Sequence, residues 1–247
     1  MRLFRQLFLI LGFGFVAAGA SASVTAPQIG AEYQVLQRPQ PADAGKKVEV
    51  IEFFGYFCPH CNILDPVLTA WVKKQGDNIV FKRVHVDFSD SMLPQERLFA
   101  TLEAMGKLEE LHSKVFYAMH VDRKRLSSDD EVVEFAVKQG LDKQKFLDTY
   151  NSFSVRSKVG RSKLMQQAYN ITGVPTFAVE GRYITSPSIV GQVMGHPVTE
   201  QEQNLASLQV LDWLVAKVQK EKAGPAAAPA AAPAPAAAPA AASAKKK

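Results

Sequence analysis

The sequence predicts an α/β fold in which an all-helical segment interrupts a sheet-forming domain. Three observations lead to this prediction. Segments rich in β-branched and aromatic residues precede residue 90, residues 94–171 show helical periodicity with few strand signals, and strand signals return after residue 171. The predicted order is therefore β-α-β, a helical block, and then β-β-α.

The first β-α-β unit begins with the segment Lys47 to Phe54, whose composition predicts a largely buried strand that Gly55 ends. Apolar residues then recur at intervals of three and four, which predicts a helix that starts near the cysteines and runs to about Gln75. The segment Ile79 to Phe88 predicts the next strand. The sequence Cys58-Pro59-His60-Cys61 thus lies at a strand-to-helix turn.

The later elements have clear start signals. Ser128 with Glu131, and Thr199 with Glu202, have the spacing of capping boxes that open helices. Strands predicted at 176–179 and 182–185 flank a two-residue hairpin signal, Glu180-Gly181. The apolar stripe of the last helix consists of Leu205, Leu208, Leu211, Leu214, Val215 and Val218.

The excess positive charge lies at the ends of the chain. The 247 residues include 29 Lys plus Arg and 24 Asp plus Glu, a formal net charge of +5. Arg2, Arg5 and the three C-terminal lysines account for this excess, so residues 23–223 are formally neutral. We therefore expect no basic binding face and no nucleic acid partner.

Both ends also have recognisable compositions. Arg2 and Arg5 precede an apolar run and the sequence Ala20-Ser21-Ala22, which predicts a signal peptide and hence an exported protein. The Ala- and Pro-rich C-terminal segment ending in lysines predicts a disordered tail, either a solvated spacer or a cationic tether.

The chain has only two cysteines, Cys58 and Cys61. A disulfide that closes so short a loop constrains the unfolded chain little, so redox chemistry explains the pair better than structural crosslinking. A C-x-x-C sequence at the turn of a β-α-β unit is typical of a thioredoxin-like site. The fold prediction is therefore a thioredoxin-like fold with an inserted all-helical domain.

This prediction divides the chain into five parts. They are a signal peptide (1–22), two parts of the thioredoxin-like domain (23–93 and 172–222), the inserted helical domain (94–171) and the tail (223–247).

Each residue of the motif has a predicted role. Cys58 lies at a helix N-terminus, where free N–H groups and the macrodipole favour a thiolate and lower the thiol pKa. Pro59 suits the first helical turn. His60 adds a positive charge or a donor nearby, and any interaction that stabilises the thiolate makes the disulfide form a stronger oxidant. Cys61 points into the domain and suits the resolving role.

Two other chemistries also use C-x-x-C sequences. Structural zinc requires four ligands, but the chain has no second cysteine pair and His60 lies on a different side of the helix. Covalent haem attachment requires histidine directly after the second cysteine, where this chain has Asn62. We therefore expect neither a metal ion nor another cofactor.

The segment Glu52 to Cys61, Glu-Phe-Phe-Gly-Tyr-Phe-Cys-Pro-His-Cys, closely resembles the active-site segment of the DsbA family of bacterial periplasmic thiol:disulfide oxidases. The resemblance extends from about Tyr33 to Lys220, because the helical insertion, Gly173-Val174-Pro175 and the final helix follow the family's order. It implies an enzyme that introduces disulfide bonds into exported proteins by transferring its own Cys58–Cys61 disulfide through a mixed disulfide.

The resemblance also implies roles for residues outside the motif. Pro175 is expected to be cis and to face the disulfide, with Val174 offering backbone hydrogen bonds to a substrate peptide. Without the resemblance, a trans bond at an edge strand is the alternative. Glu52 is expected to help move the proton of Cys61, and Arg83 replaces the family's usual lysine. Since arginine stays protonated, it balances charge; a structural ion pair is the alternative.

The remaining candidates have less specific signals. Phe57 is a candidate for substrate binding and, with Tyr56 and Met194, for an apolar surface around Cys58; packing is the alternative for each. His85 is predicted to be a strand residue near the site. Three other histidines show no spacing that demands a ligand: His112, His120 and His196.

The implied partners are unfolded or partly folded exported proteins with reduced cysteines, and a DsbB-like, quinone-linked membrane oxidase. We expect a monomer. A periplasmic disulfide reductase or isomerase is one alternative, although the segment between Ser23 and Cys58 is too short for the dimerisation domain that isomerases usually carry. A non-catalytic peptide-binding chaperone or envelope-tethered module is the other.

Overall fold

The computed structural model describes residues 26–224. The predicted signal peptide and all of the predicted tail beyond Gly224 lie outside the described residues. The described part contains one five-stranded sheet, with strands β1 (Gln34–Val35), β2 (Val48–Phe54), β3 (Ile79–His85), β4 (Thr176–Val179) and β5 (Tyr183–Thr185). The short strand β1 was not predicted, and β3 ends at His85 rather than Phe88.

The central strand β2 organises the sheet, whose order is β1-β5-β4-β2-β3. It pairs in parallel with β3 through the crossover helix α1 (Pro59–Gln75), and antiparallel with β4. All seven residues of β2 are buried, which is expected of a strand covered on both faces. Because side chains alternate along a strand, Val50 and Glu52 face one side and Ile51 and Phe53 the other.

Helices cover both faces of the sheet. Val48 and Val50 join a core with Leu64 and Leu68 of α1 and the last helix, α8 (Glu200–Ala223). On the opposite face, residues of β2, β3 and β4 pack against Tyr169 and its neighbours in the chain. Met194 packs against the first of these cores rather than forming a separate apolar surface.

The helical block lies between β3 and β4, and its separate core extends to the active-site turn through Phe54 and Tyr56. Its helices are α2 (Leu93–Ala104), α3 (Leu108–His120), α4 (Asp129–Lys138), α5 (Lys143–Tyr150) and α6 (Phe153–Ala168). The capping box predicted for α4 is only half formed. Ser128 accepts from the backbone N–H of Glu131, whereas the Glu131 carboxylate binds the N–H of Ser127.

The C-terminal part differs from the prediction in three details. Val179 pairs with Tyr183, so Arg182 belongs to the hairpin turn rather than to β5. An unpredicted helix, α7 (Pro187–Val193), follows β5. The capping box of α8 is complete at Thr199, but Leu205 is 45% exposed and does not share the buried stripe. None of the helices within residues 26–224 is long and apolar enough to cross a membrane.

Candidate active site

The site forms where β2 ends and α1 begins. Cys58 is the N-cap residue of α1, with extended backbone angles, and Pro59 occupies the start of the helix as predicted. The N–H of Cys58 donates to the carbonyl of Gly55 across 3.0 Å and closes a tight turn. A Cβ at Gly55 would collide with the ring of Phe57, so any larger residue there would force this ring to move.

The sulfur of Cys58 has surroundings that favour its thiolate. The two cysteines are unlinked, and the backbone N–H of Cys61 points at Cys58 Sγ across 3.4 Å. A hydrogen bond from the Cys61 thiol, and then the backbone N–H groups of Cys61 and His60 and the charge of His60, lower the Cys58 pKa to about 6. Burial opposes this shift but is outweighed.

Cys61 has the opposite environment. Its side chain is 0% exposed, and burial raises its pKa far above the ordinary value, helped by the hydrogen bond and the negative charge of Cys58. At neutral pH the reduced pair therefore consists of an outer thiolate and an inner thiol. The division into an attacked and a resolving sulfur stays a prediction.

His60 lies beside Cys58 on the outer surface of the turn, and its side chain is 65% exposed. Its Nδ1 lies 2.8 Å from Oε1 of Glu200 at the start of α8. The hydrogen bond to Glu200 raises the pKa of His60, and the negative charges of Glu200 and Cys58 act in the same direction. No sequence signal predicts Glu200 as the partner of His60, since the two residues are far apart in the chain.

The Val174–Pro175 peptide bond is cis, as the resemblance implies. When protonated, the Cys58 thiol can donate to the carbonyl of Val174, 3.4 Å away. Val174, Pro175 and His60 line an open groove of about 1030 Å³ together with residues of β1, α7 and α8. Phe57 is half-buried and packs edge-on against Phe88 and His85. A role of Val174, Pro175 and Phe57 in substrate binding stays a prediction.

Behind the turn lies a buried cluster of charges. Arg83 Nε donates to Glu52 across 2.9 Å, so the expected pair is present, and a second nitrogen of Arg83 donates to Asp65 across 3.0 Å. Burial raises the pKa of Glu52 to about 7 although Arg83 opposes the shift. Asp65 is also buried, but hydrogen bonds and charges from His112 and Arg83 outweigh burial and lower its pKa. Asp65 was not predicted as a site residue, because its only sequence signal is a carboxylate on the apolar side of α1.

Tyr56 is fully buried, which contradicts the suggestion that it belongs to an exposed apolar surface. Three histidines hold its polar groups. Its N–H donates to His85 Nε2 (3.0 Å), its carbonyl accepts from His120 Nε2 (2.8 Å), and its hydroxyl shares a hydrogen bond with His112 Nδ1 (2.9 Å). Because His112 and His120 lie on α3, these contacts tie the helical block to the active-site turn.

Two further properties of the histidines around Tyr56 matter for the site. Burial lowers the pKa of His85 to about 3, so the imidazole is neutral and can accept from Tyr56. The other ring nitrogen of His112 lies 3.2 Å from Asp65. Histidines that the sequence left without a role therefore connect the turn to the buried charges.

The fold and the cysteine pair define a thiol:disulfide oxidoreductase of the thioredoxin-like class. Within residues 26–224 no group of three or more His, Cys, Asp or Glu side chains is arranged to hold a metal ion. Residues 85–201 match the family described as DSBA-like thioredoxin domain, and residues 40–100 match Thioredoxin.

Curated relatives and solved structures agree with this class. The thiol:disulfide interchange protein DsbA of Burkholderia cepacia is 43% identical over 87% of this chain and 96% of its own length. The crystal structure of Pseudomonas aeruginosa DsbA, 34% identical, aligns with a TM-score of 0.69 over 78% of this chain and 94% of that chain. An oxidoreductase DsbA from Xylella fastidiosa, 26% identical, gives 0.69 over 78% and 98%.

The chain belongs to the DsbA family of thiol:disulfide interchange proteins. It is a disulfide-introducing oxidoreductase that acts on proteins with cysteines.

Proposed function

We propose that this enzyme oxidises exported proteins in the periplasm, with Cys58 as the sulfur that substrates attack and Cys61 as the resolving sulfur. The observation that carries this assignment is the contrast between the two thiols: the Cys58 pKa is lowered to about 6, whereas burial raises that of Cys61. A sulfur that is stable as a thiolate is a good leaving group in thiol–disulfide exchange.

The reaction has two exchange steps. A substrate thiolate attacks Cys58 Sγ of the enzyme disulfide, the Cys58–Cys61 bond breaks, and Cys61 leaves as a thiolate that takes up a proton. The second substrate thiolate then attacks the substrate sulfur of the mixed disulfide and displaces Cys58. The substrate loses two electrons and gains a disulfide, and the enzyme is left as a dithiol.

Glu52 supplies the proton that Cys61 takes up. Its carboxyl is buried with a pKa of about 7, so it can be protonated at neutral pH, and its charge acts directly on Cys61. Arg83 stays protonated and offsets the charges of Glu52 and Asp65 without relaying the proton.

An extended substrate segment binds in the groove beside the cis proline. The backbone of Val174 lies within hydrogen-bonding distance of Cys58, and backbone groups there can pair with a peptide in the manner of an added strand. Phe57 contributes an apolar contact at the other side of Cys58. A DsbB-like, quinone-linked membrane oxidase restores the disulfide after each turnover.

The test uses the oxidised protein and a reduced, unfolded substrate with two cysteines. We expect stoichiometric disulfide formation in this substrate. A substrate with a single cysteine, which has no second thiol to release it, should form a stable mixed disulfide with Cys61→Ala that has first been activated at Cys58 by a small disulfide. Cys58→Ala should form no adduct with the substrate. If the adduct formed through Cys61 instead, the assignment of the two sulfurs would be reversed.

A redox titration against glutathione separates the oxidase from the reductase alternative. We expect the enzyme to be a stronger oxidant than thioredoxin, because the reduced form is stabilised through the Cys58 thiolate. A potential as low as that of thioredoxin would contradict the oxidase assignment. Full chaperone activity in the double variant Cys58→Ser/Cys61→Ser would favour the non-catalytic alternative.

A further inference from the structure

Glu200 brings a negative charge from the last helix to the rim of the active site. It is the first residue of α8, and its carboxylate lies 2.8 Å from Nδ1 of His60, which is 140 residues away in sequence. Its side chain is 33% exposed, so the contact is partly shielded from water. Glu200 and His60 both line the groove that contains Val174 and Pro175.

Helix capping does not account for this contact. Acidic residues are common in a first helical turn because they interact favourably with the helix dipole. In α8, however, the capping is performed by Thr199 and Glu202, whose carboxylate accepts from the backbone N–H of Thr199 across 2.7 Å. The Glu200 carboxylate is turned away from these groups and bonds to the imidazole instead.

The contact changes the charge beside the reactive sulfur. The hydrogen bond to Glu200 raises the pKa of His60, so the imidazolium is more populated at neutral pH. The positive charge of His60 is one of the influences that lower the pKa of Cys58. Glu200 therefore acts on Cys58 through the imidazole that it contacts.

We propose that Glu200 is a positioning residue of the active site: its carboxylate holds the protonated imidazole of His60 beside Cys58 and thereby makes the disulfide form a stronger oxidant. This inference rests on the proposed role of Cys58. The groove has one other titratable side chain among the described residues that line it, Tyr169, whose pKa is raised by burial to about 12 and which stays neutral.

The test compares Glu200→Gln with the wild-type protein in three measurements. NMR titration should show a lower pKa for His60, ultraviolet absorbance of the thiolate should show a higher pKa for Cys58, and equilibration with glutathione should show a weaker oxidant. We expect the equilibrium constant to change by about two- to tenfold, because an exposed charge pair shifts a pKa by at most about one unit. The change should shrink in high salt, which screens exposed charges.

Glu202→Gln is the matched control. It removes a charge from the same helical turn but leaves the contact with His60 in place, so the three quantities should stay close to wild type. In a His60→Ala background, Glu200→Gln should have no further effect on the Cys58 pKa or the glutathione equilibrium.

Three results would overturn the proposal: unchanged values in Glu200→Gln, equal changes in Glu202→Gln, or an undiminished effect without His60. These readouts require no substrate turnover. A failure of the proposed function would instead appear as a wild-type protein that does not oxidise unfolded substrates.

Discussion

The two sides of the active-site turn surround the same chemical group in opposite ways. On the outer side, Cys58 meets the half-exposed pair His60 and Glu200 at the rim of an open groove. On the inner side, Cys61 lies above Glu52, Arg83 and Asp65, all of which are buried or nearly so. Two identical thiols in one helical turn thus have pKa values shifted in opposite directions.

The contribution of an ion pair to the free energy depends on how exposed the pair is. Water and salt screen the outer pair, so its loss alters the chemistry of Cys58 only modestly. The inner charges are largely shielded from water, and removing Arg83 leaves carboxylates without their cation in the interior. We expect changes on the outer side to affect redox properties and changes on the inner side to affect folding stability.

The largest expected effect is the difference in reactivity between the two thiols. At pH 7 we expect iodoacetamide to alkylate Cys58 of the reduced protein on the order of 100-fold faster than Cys61, because only the thiolate reacts and Cys61 is buried. Mass spectrometry of the labelled peptide measures the ratio. The protein unfolded in guanidinium is the control, and there both thiols should react alike. Equal alkylation rates of the two thiols in the folded protein would contradict the proposed difference between their environments.

Arg83→Met tests the inner side. The substitution leaves the carboxylates of Glu52 and Asp65 without their shared cation, and we expect the free energy of unfolding to fall by about 3–5 kcal/mol. Denaturant unfolding of the reduced proteins measures it. Lys47→Met, which breaks an ion pair with the fully exposed Asp77, should leave the free energy of unfolding nearly unchanged. Similar losses in both variants would contradict the proposed effect of burial.

Tyr56→Phe tests the connection between the turn and the helical block. Removing the hydroxyl leaves His112 Nδ1 without its partner in the interior, and we expect a loss of about 1–3 kcal/mol in the free energy of unfolding. The matched control is Tyr117→Phe on the exposed side of α3, where the tyrosine is 57% exposed. This control should leave stability unchanged. If Tyr56→Phe left the free energy of unfolding unchanged, the hydroxyl would contribute nothing to the connection between the turn and the helical block.

The smallest predicted effect is the pH dependence of stability. A thiol whose pKa is lowered to about 6 in the folded protein stabilises the reduced form above its unfolded pKa, and this contribution is lost as pH falls toward 6. From pH 6 to pH 7 the stability of the reduced protein should therefore rise by about 1 kcal/mol relative to the oxidised protein. Unfolding curves of both forms measure the difference. Cys58→Ser cannot form the disulfide, and its stability should change with pH in the same way as that of the oxidised wild-type protein. A rise beyond this in Cys58→Ser would assign the effect to another group.

Local sequence signals were sufficient to predict the chemistry of the active-site turn. The composition of Val48–Phe54, the break at Gly55 and the helix that follows place the cysteine pair at a helix N-terminus. A capping position orients backbone N–H groups toward whichever side chain occupies it, so the lowered pKa of Cys58 follows from short-range geometry. The pairing of Glu52 with Arg83 could also be predicted, because the two residues lie on neighbouring strands and the family resemblance indicates their positions.

Long-range contacts could not be predicted from the sequence in the same way. Asp65 of α1 contacts His112 of α3, and Glu200 of α8 contacts His60. Both contacts depend on how the helices pack. Tyr56 illustrates the limit, because an aromatic residue near a reactive cysteine is compatible with either an exposed rim or a core. Only the position of α3, with its two histidines, decides for the core.

The fold class, the redox pair and the direction of the outer thiol's pKa could therefore be predicted from the sequence. The fold class depends on strand and helix patterns along the chain, and the thiol pKa depends on the position of the motif at a helix N-terminus. Which distant charges surround the two sulfurs depends on the tertiary structure. Packing brings together side chains that are more than a hundred residues apart, such as His60 and Glu200. Burial, which no local pattern states for an individual side chain, then sets how strongly each charge acts.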